Sequence, residues 1–557
     1  MYKRRWIAWL CVLVIAAGVA CSAEYSPTPT LLPPASAPAS AQPMVAPTPE
    51  LALPPADAWW NDAVFYEVFV RSFYDSDGDG DGDLAGLIAR LDYLNDGDPT
   101  TTDDLGVDGL WLMPIMQSPS YHGYDVTDYL AVESDYGVNA DFKRLITEAH
   151  QRGVKVIIDL VLNHTSAAHP WFQQASQPDS PFRDWYVWSE RDLGGAWYDA
   201  PGGFYYAYFW DQMPDLNYRN ARVTAAVYSV ADFWLKQMGA DGFRLDAVKH
   251  LIEDGGVVEN TPETHAWLQQ FQAHLTQSRP DVLTVGEIYG GSPSLLADYI
   301  THAELNLAFE FNFAQAIIDS LRVGKEGALR LAQMQLLPAY PPGQYATFIT
   351  NHDQNRVASQ LLDNLDKAKV AGTLLLTSPG VPFVYYGEEI GLTGVKPDEQ
   401  IRTPMPWSDA PNAGFTTGRP WEPLNEDWPT KNVAAQAGDP HSILNHYRRL
   451  IQLRQANSAL RRGDLVILKA DTPAVYAYLR VHPEGAALVM VNLSNRPISD
   501  YSLRVTTSPL RGTQPGRDML ADAAIADLTV DEQGGFEDYR PIPELAPLGS
   551  YVIELTP

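Results

Sequence analysis

Between Trp59 and about residue 455, short apolar runs without polar breaks alternate with stretches of helical periodicity, and that repetition restricts the chain to a parallel sheet covered by helices. The candidate strands are "AVFYEVFV", "GLWLMPI", "VKVIIDLVL", "GFRL", "VLTVG", "ATFIT" and "PFVYYG". Between them, Val227, Ala231, Trp234, Leu235 and Met238 fall on one helical face. Thr261 and Pro262 read as an N-cap and first turn, followed by Trp267, Leu268, Phe271 and Leu275 along another face. The prediction is an α/β fold, a closed (β/α)8 TIM barrel, with an open doubly wound sheet as the alternative. No glycine-rich phosphate fingerprint follows the early strands, which disfavours the nucleotide-binding form of that alternative.

Two segments depart from the repeat. Residues 164–220, after the third strand, are rich in Trp, Tyr, Pro and Gly, as in "FRDWYVWSERDLGGAWYDAPGGFYYAYFWDQMPDLNY", and predict an inserted domain. Its aromatics serve either as that domain's own core or as sugar-stacking surfaces. From residue 456 to 557 the helical period gives way to the two-residue alternation of "AVYAYLRV" and "AALVMVNLS", which predicts a C-terminal antiparallel β domain.

The N-terminus predicts export. Lys3, Arg4 and Arg5 precede an apolar run from Trp6 to Ala20, too short for the ~20 residues of a membrane-spanning helix and suited to a signal peptide over residues 1–20. Residues 21–58 are a Pro/Ala/Ser/Thr-rich linker. Cys21 ends "AAGVAC", which resembles a bacterial lipoprotein signal and implies lipidation there, although Gly18 stands where that pattern prefers Leu and ordinary secretion stays open. The expectation is an extracellular or cell-surface protein, lipid-anchored at Cys21, with no other membrane contact. Cys11 lies within the leader, so a mature chain forms no internal disulfide. With 39 basic and 69 acidic residues the net charge is -30, the wrong sign for nucleic acid. The chain is expected as a monomer.

Three acids follow strand-like runs immediately: Asp246 in "GFRLDAVKH", Glu287 in "TVGEIY" and Asp353 in "FITNHDQNR". Taken singly, each is more often a turn or cap residue, but in a barrel the strand ends converge on one mouth. Arg244, His164 and His352 accompany them. No "GxSxG" elbow and no zinc-type histidine spacing is present, which disfavours a serine hydrolase and a zinc enzyme. Paired carboxylates suit glycoside hydrolysis, one ionised and one protonated. Arg244, two residues before Asp246 on one strand, favours the ionised form of Asp246, whereas Glu287 follows an apolar run with no adjacent cation and suits a proton donor.

These segments resemble the signatures of the α-amylase family of glycoside hydrolases, family 13. "GVDGLWLMPI", "HGYDVTDY", "DLVLNH", "MPDLN", "GFRLDAVKH", "VGEIY", "FITNHD" and "GVPFVYYGEEIG" occur in the family's order. The resemblance implies a barrel with a domain inserted after strand three, a C-terminal β-sandwich and a retaining double displacement. It implies Asp246 as nucleophile, Glu287 as general acid and base, and Asp353 as the carboxylate that holds substrate hydroxyls. Arg244, His164 and His352 then surround the same sugar, with Tyr124 as an aromatic platform and His122 nearby. "MPDLN" resembles the branch intermediate between oligo-1,6-glucosidases and neopullulanases. Lys249 and His250 match the pair with which amylases hold sugars on the leaving side, which implies endo-cleavage of α-1,4-glucan. "IRTPMPW" is also similar to a loop of the glucosidases and trehalose synthases, so an oligo-α-glucosidase or a transglycosylase is the alternative. A starch-binding lipoprotein without activity is a third reading, disfavoured by the complete set of acids.

The acidic stretch "YDSDGDGDGDLAG" is not an EF-hand, because the twelfth position is Gly86, or Ile88 in the frame shifted by two, where a bidentate Glu is required. It is similar to the calcium loop after strand one in oligosaccharide-cleaving branches of the family. That likeness implies side-chain ligands from Asp75, Asp77, Asp79 and Asp83 and the carbonyl of Asp81. A second calcium, clamping the inserted domain to the barrel, is implied at Asn163, Asp215 and His250, although Asn163 and Asp215 also read as turn residues.

Overall fold

The computed structural model describes residues 57–556. The expected leader over 1–20, Cys21 and nearly all of the 21–58 linker lie outside the described residues. Eight parallel strands form the central sheet: β1 (Phe65–Val68), β2 (Gly109–Leu112), β3 (Lys155–Leu160), β4 (Gly242–Leu245), β5 (Leu283–Gly286), β6 (Leu307–Ala308), β7 (Ala346–Thr347) and β8 (Val381–Tyr385). From β1 to β6 the strands pair in sequence order, β7 pairs with β8, β8 returns to β1 in the register Phe65↔Phe383, and a single parallel bridge Phe309↔Ala346 joins β6 to β7. The sheet is therefore a closed barrel. An open doubly wound sheet would leave two edges and bring no eighth strand back to the first.

Side chains from alternate positions fill the interior. Phe65 stacks on Phe383 at 4.5 Å, and Trp111, Leu283, Leu307, Phe309 and Phe348 complete this inner cluster. The helices cover the outside. Thr261 Oγ1 accepts from the Thr264 amide at 3.2 Å and Pro262 opens the helix Pro262–Ser278, as the cap signal predicts. The apolar face containing Val227 runs through the helix Ala221–Asp232 into a π-turn, Phe233–Met238, which Gly239 ends at φ 90°. Trp234, fully buried there, donates its indole N–H to the Tyr129 carbonyl at 2.8 Å.

Between β3 and that helix, a three-stranded antiparallel sheet (Trp188–Ser189, Trp197–Ala200, Gly203–Tyr206) packs on the helix Pro170–Ala175. Phe172 stacks on Trp188 and meets Tyr205 edge-on, and Arg183 lies 3.3 Å over Trp188, so much of the aromatic content is core. After the helices Ile443–Ala456 and Ser458–Arg462, a six-stranded and a three-stranded antiparallel sheet follow. Val475, Leu479 and Leu488 from the first share a core with Leu503, Phe536 and Tyr539 from the second, which makes this region a sandwich. Among the described residues no helix is long and apolar enough to cross a membrane.

Candidate active site

Strand register places the charges. Arg244 on β4 is the Cα partner of Asp159 on β3, so both side chains point into the barrel. The Arg244 Nη1 lies 2.9 Å from both oxygens of Asp159 and 2.7 Å from Asp246 Oδ1, and its Nη2 lies 2.6 Å from Glu287 Oε2. Asp246 ends β4 and Glu287 ends β5. The chain turns sharply behind Asp246, where Ala247 takes a left-handed φ of 48° before a tight turn over Val248–His250. Asp353 follows β7 on a loop held by Arg402, whose Nη2 donates to Asp353 Oδ1 at 3.0 Å and whose Nε donates to the His352 carbonyl at 2.9 Å. All three acids therefore meet at the C-terminal mouth of the barrel.

The expectation that Glu287 lacks a cation is overturned: the guanidinium that binds Asp246 also binds Glu287. Sequence distance hid this, because the contact crosses from β4 to β5. Burial pushes both carboxyls above their usual range; Arg244 opposes this in each, while Asp353 raises both and Asp246 further raises Glu287. Asp353 differs. Burial would raise it, but His352 and Arg402 outweigh that and hold it well below the carboxylate range. His352, clamped between Glu67 at 2.6 Å and Asp353 at 3.2 Å, is pushed up to about 10. Thus the ionised carboxylate is fixed most firmly at Asp353, and Asp246 and Glu287 share one cation.

Tyr124 links these groups: its hydroxyl is 2.6 Å from His352 Nε2 and donates to Asp159 at 3.1 Å, and its ring stacks 5.6 Å from that of His352. His122 Nδ1 accepts from the Tyr124 amide at 3.1 Å. His164 is buried, burial lowers it to about 4 against the opposing effect of the Tyr124 main chain, and among the described residues neither ring nitrogen makes a well-formed hydrogen bond, so a neutral imidazole faces the cleft. Lys249 reaches Glu259 at 2.6 Å and the Tyr289 carbonyl at 2.8 Å. Among the described residues His250 comes no nearer to a carboxylate than 4.0 Å, at Glu259; its Nδ1 meets the Val258 carbonyl at 2.9 Å and its ring stacks 4.1 Å from Tyr208.

The three acids line one cleft of about 770 Å3 together with His122, Tyr124, His164, Lys249 and His250, whereas Arg244 and His352, expected around the same sugar, are buried beneath it. The structure adds lining groups that sequence reasoning left out: Tyr208, Phe209 and Trp210 from the inserted domain, Tyr289 and Phe311, and Lys396, Asp398 and Arg402 from the segment after β8. Arg402 lies in "IRTPMPW", and the aromatic triplet lies in the insert, so both had a signal, but neither follows a strand end. The two roles expected of the insert's aromatics divide by position: Phe172 and Trp188 pack inside, while Phe209 and Trp210 are 47% and 46% exposed on the cleft.

In the acidic loop, ligand atoms of Asp75, Asp77 and Asp83 lie within 4.8 Å of one another. Such a set of hard oxygens fits a hard divalent cation. Asp79 is not in this group, and the Asp81 carboxylate turns away to Arg71 at 2.5 Å. Asp75 also accepts from the amides of Asp77, Gly78 and Gly80. At the insert's junction, Asp215 is 1% exposed with an oxygen that lacks a hydrogen-bond partner, and burial with the neighbouring Glu253 pushes it well up. Asn163 is equally buried beside it.

A closed parallel barrel whose strand ends present carboxylates over a long, aromatic-lined cleft defines a carbohydrate-cleaving barrel enzyme. The chain belongs to the α-amylase family of glycoside hydrolases: residues 67–463 match the family model "Alpha amylase, catalytic domain". Alpha-amylase 3 of Dictyoglomus thermophilum is 40% identical over 450 residues, covering 79% of this chain and 86% of that protein. The oligo-1,6-glucosidase of Parageobacillus thermoglucosidasius is 34% identical over 522 residues, covering 79% and 91%. Among solved structures, alpha-amylase from H. orenii matches with a TM-score of 0.77 and 39% identity, covering 89% of this chain and all but 1% of that one, 99% being aligned.

Proposed function

We propose that this enzyme is a retaining, endo-acting α-amylase that cleaves α-1,4-glucosidic bonds in starch, glycogen and maltooligosaccharides. The observation that carries this reading is the exposed aromatic lining. Phe209, Trp210 and, at 63% exposure, Tyr289 extend the cleft beyond the acids, as a polymer requires and a closed monosaccharide pocket does not. Lys249 and His250 lie in that lining. The likeness to two proteins named as alpha-amylases supports the same choice.

In this mechanism Asp246 attacks the anomeric carbon as Glu287 protonates the departing oxygen, and a glycosyl ester forms on Asp246. Glu287 then takes a proton from water, which attacks the ester and restores Asp246. Retention calls for carboxyls ~5 Å apart, and one guanidinium gripping both keeps them close. Asp353, held ionised by His352 and Arg402, accepts from sugar hydroxyls and stabilises positive charge on the ring as it flattens.

The test is product length. With starch, maltoheptaose, maltose, isomaltose and trehalose as substrates, rapid shortening of starch to mixed oligosaccharides is expected. Conversion of maltose to trehalose, or of isomaltose to glucose, with starch left long, would instead establish the oligoglucosidase or transglycosylase reading that Arg402 and its segment favour.

We further propose calcium in the loop of Asp75, Asp77 and Asp83, where it would supply only charge neutralisation and rigidity. Chelation is expected to lower Tm by several degrees, and Asp75→Ala to remove that response. Equal Tm with and without chelator in the parent enzyme would overturn the assignment.

A further inference from the structure

At the opposite end of the barrel from the cleft, two guanidinium groups are fully buried without a carboxylate on either. Arg454 sits on the helix Ile443–Ala456 and Arg480 on the strand Val475–His482 of the C-terminal sandwich, and both are 0% exposed. Among the described residues, every hydrogen bond they make goes to a main-chain carbonyl. Arg454 donates to Leu376, Ser378, Leu460 and Gly380, and Arg480 to Gly463 and Thr377. Several of these carbonyls end the helix Leu365–Thr377 just before β8.

A helix C-terminus supplies roughly half an elementary negative charge, against two full positive ones. Among the described residues no acid touches either guanidinium: Asp62 and the buried Asp108 act on Arg454 only from a distance, and Asp464 acts likewise on Arg480. Asp62 is held by Arg462 at 2.7 and 2.6 Å, and Asp464 is exposed. Buried polar atoms without a hydrogen-bond partner among the described residues include Arg454 Nε, Arg480 Nη2 and the hydroxyl of Tyr345. Tyr345 is near enough to feel both cations, and each cation is lowered by burial, Arg454 to about 9 with Arg480 adding to the effect, and Arg480 to about 10. Guanidinium N–H groups only donate, so whatever satisfies them must accept, and two buried positive charges that no carboxylate contacts favour an acceptor that is itself negative.

We propose that the junction between the barrel base and the C-terminal sandwich holds one small inorganic anion of the halide class, bound by Arg454 Nε and Arg480 Nη2 with a hydroxyl donor from Tyr345. This anion pins the sandwich to the barrel. It takes no part in the chemistry, which lies at the other end of the strands.

The probe is bromide. Enzyme exchanged into sodium gluconate is titrated with sodium bromide at constant ionic strength, and crystals grown in bromide are measured at the bromine edge. The expected result is a saturable Tm rise of roughly 2–4 °C, with an anomalous peak between the two guanidinium groups. Arg480→Met is expected to abolish the rise. If that variant does not fold, Tyr345→Phe, which removes one donor, is expected to weaken the bromide response. A wild-type map with no anomalous peak at this junction, or a Tm rise of the same size in the variants, overturns the proposal.

Discussion

Replacing Glu287 by Gln is expected to lower kcat on maltooligosaccharides by roughly 10²–10⁴-fold, the usual worth of a positioned proton donor. The amide preserves size and can still hydrogen-bond, so KM should move little. What it cannot do is give up a proton to the departing sugar oxygen. A substrate whose leaving group departs without protonation, such as α-glucosyl fluoride, should therefore lose far less in glycosylation, and the ester on Asp246 should then accumulate because water is no longer deprotonated. Pre-steady-state release of fluoride measures this directly. A loss of equal size on both substrates, with no burst, would remove Glu287 from the acid–base role and leave it as a structural neighbour of Arg244.

Arg244→Leu should be the most damaging single change to the site. It strands three carboxyls, Asp159, Asp246 and Glu287, each of which Arg244 lowers against the raising effect of burial. Removing one partner of a buried charge cluster costs about 3–5 kcal/mol. The pH dependence carries the diagnosis. Asp159 is already pushed up to about 7 with the cation present, and without it all three rise further. A carboxyl with a raised folded pKa costs no stability below its unfolded value, near 4, and costs progressively more as pH rises through the folded value. The Tm deficit of the variant should thus be small near pH 4 and grow steadily toward pH 8. Activity should fall with it, its acidic limb moving to higher pH as Asp246 holds its proton longer. Arg244→Lys should recover part of the stability and little of the activity, since one ammonium cannot bridge as the fork does. A Tm deficit independent of pH would mean that lost packing, not charge, is responsible.

Sequence periodicity exposed seven of the eight barrel strands because their apolar runs are long enough to be seen. β6 escaped, since Leu307–Ala308 lies in "AELNLAFEF", where Glu304, Asn306 and Glu310 interrupt the apolar residues and no run stands out. The catalytic acids were legible because each directly follows a strand, and the barrel turns that local position into a shared mouth. The bond from Arg244 to Glu287 was not, because it depends on the lateral neighbour of β4 and not on anything near it in the chain. Arg402 was hidden for a related reason: it reaches Asp353 from 49 residues away. The unpaired Arg454 and Arg480 look like ordinary surface charges in sequence, and only burial distinguishes them.

The barrel's closure is not evenly made. Between β6 and β7 the main chain contributes one parallel bridge and the Glu310 amide to the Ala346 carbonyl at 2.9 Å, where β1 and β2 are in register over four residues. Aromatic side chains hold this seam instead: Phe309 meets Phe348 at 5.5 Å, and Phe311 meets it at 4.9 Å. A ring fastened by side chains at one stave opens there first when thermal motion loosens packing. Amide protons of residues 307–310 and 346–348 should exchange with deuterated water well before those of β1 and β2, so the enzyme would breathe through a clasp two strands from Glu287 and next to the loop carrying Asp353, letting heat disturb the acids before the fold as a whole comes apart.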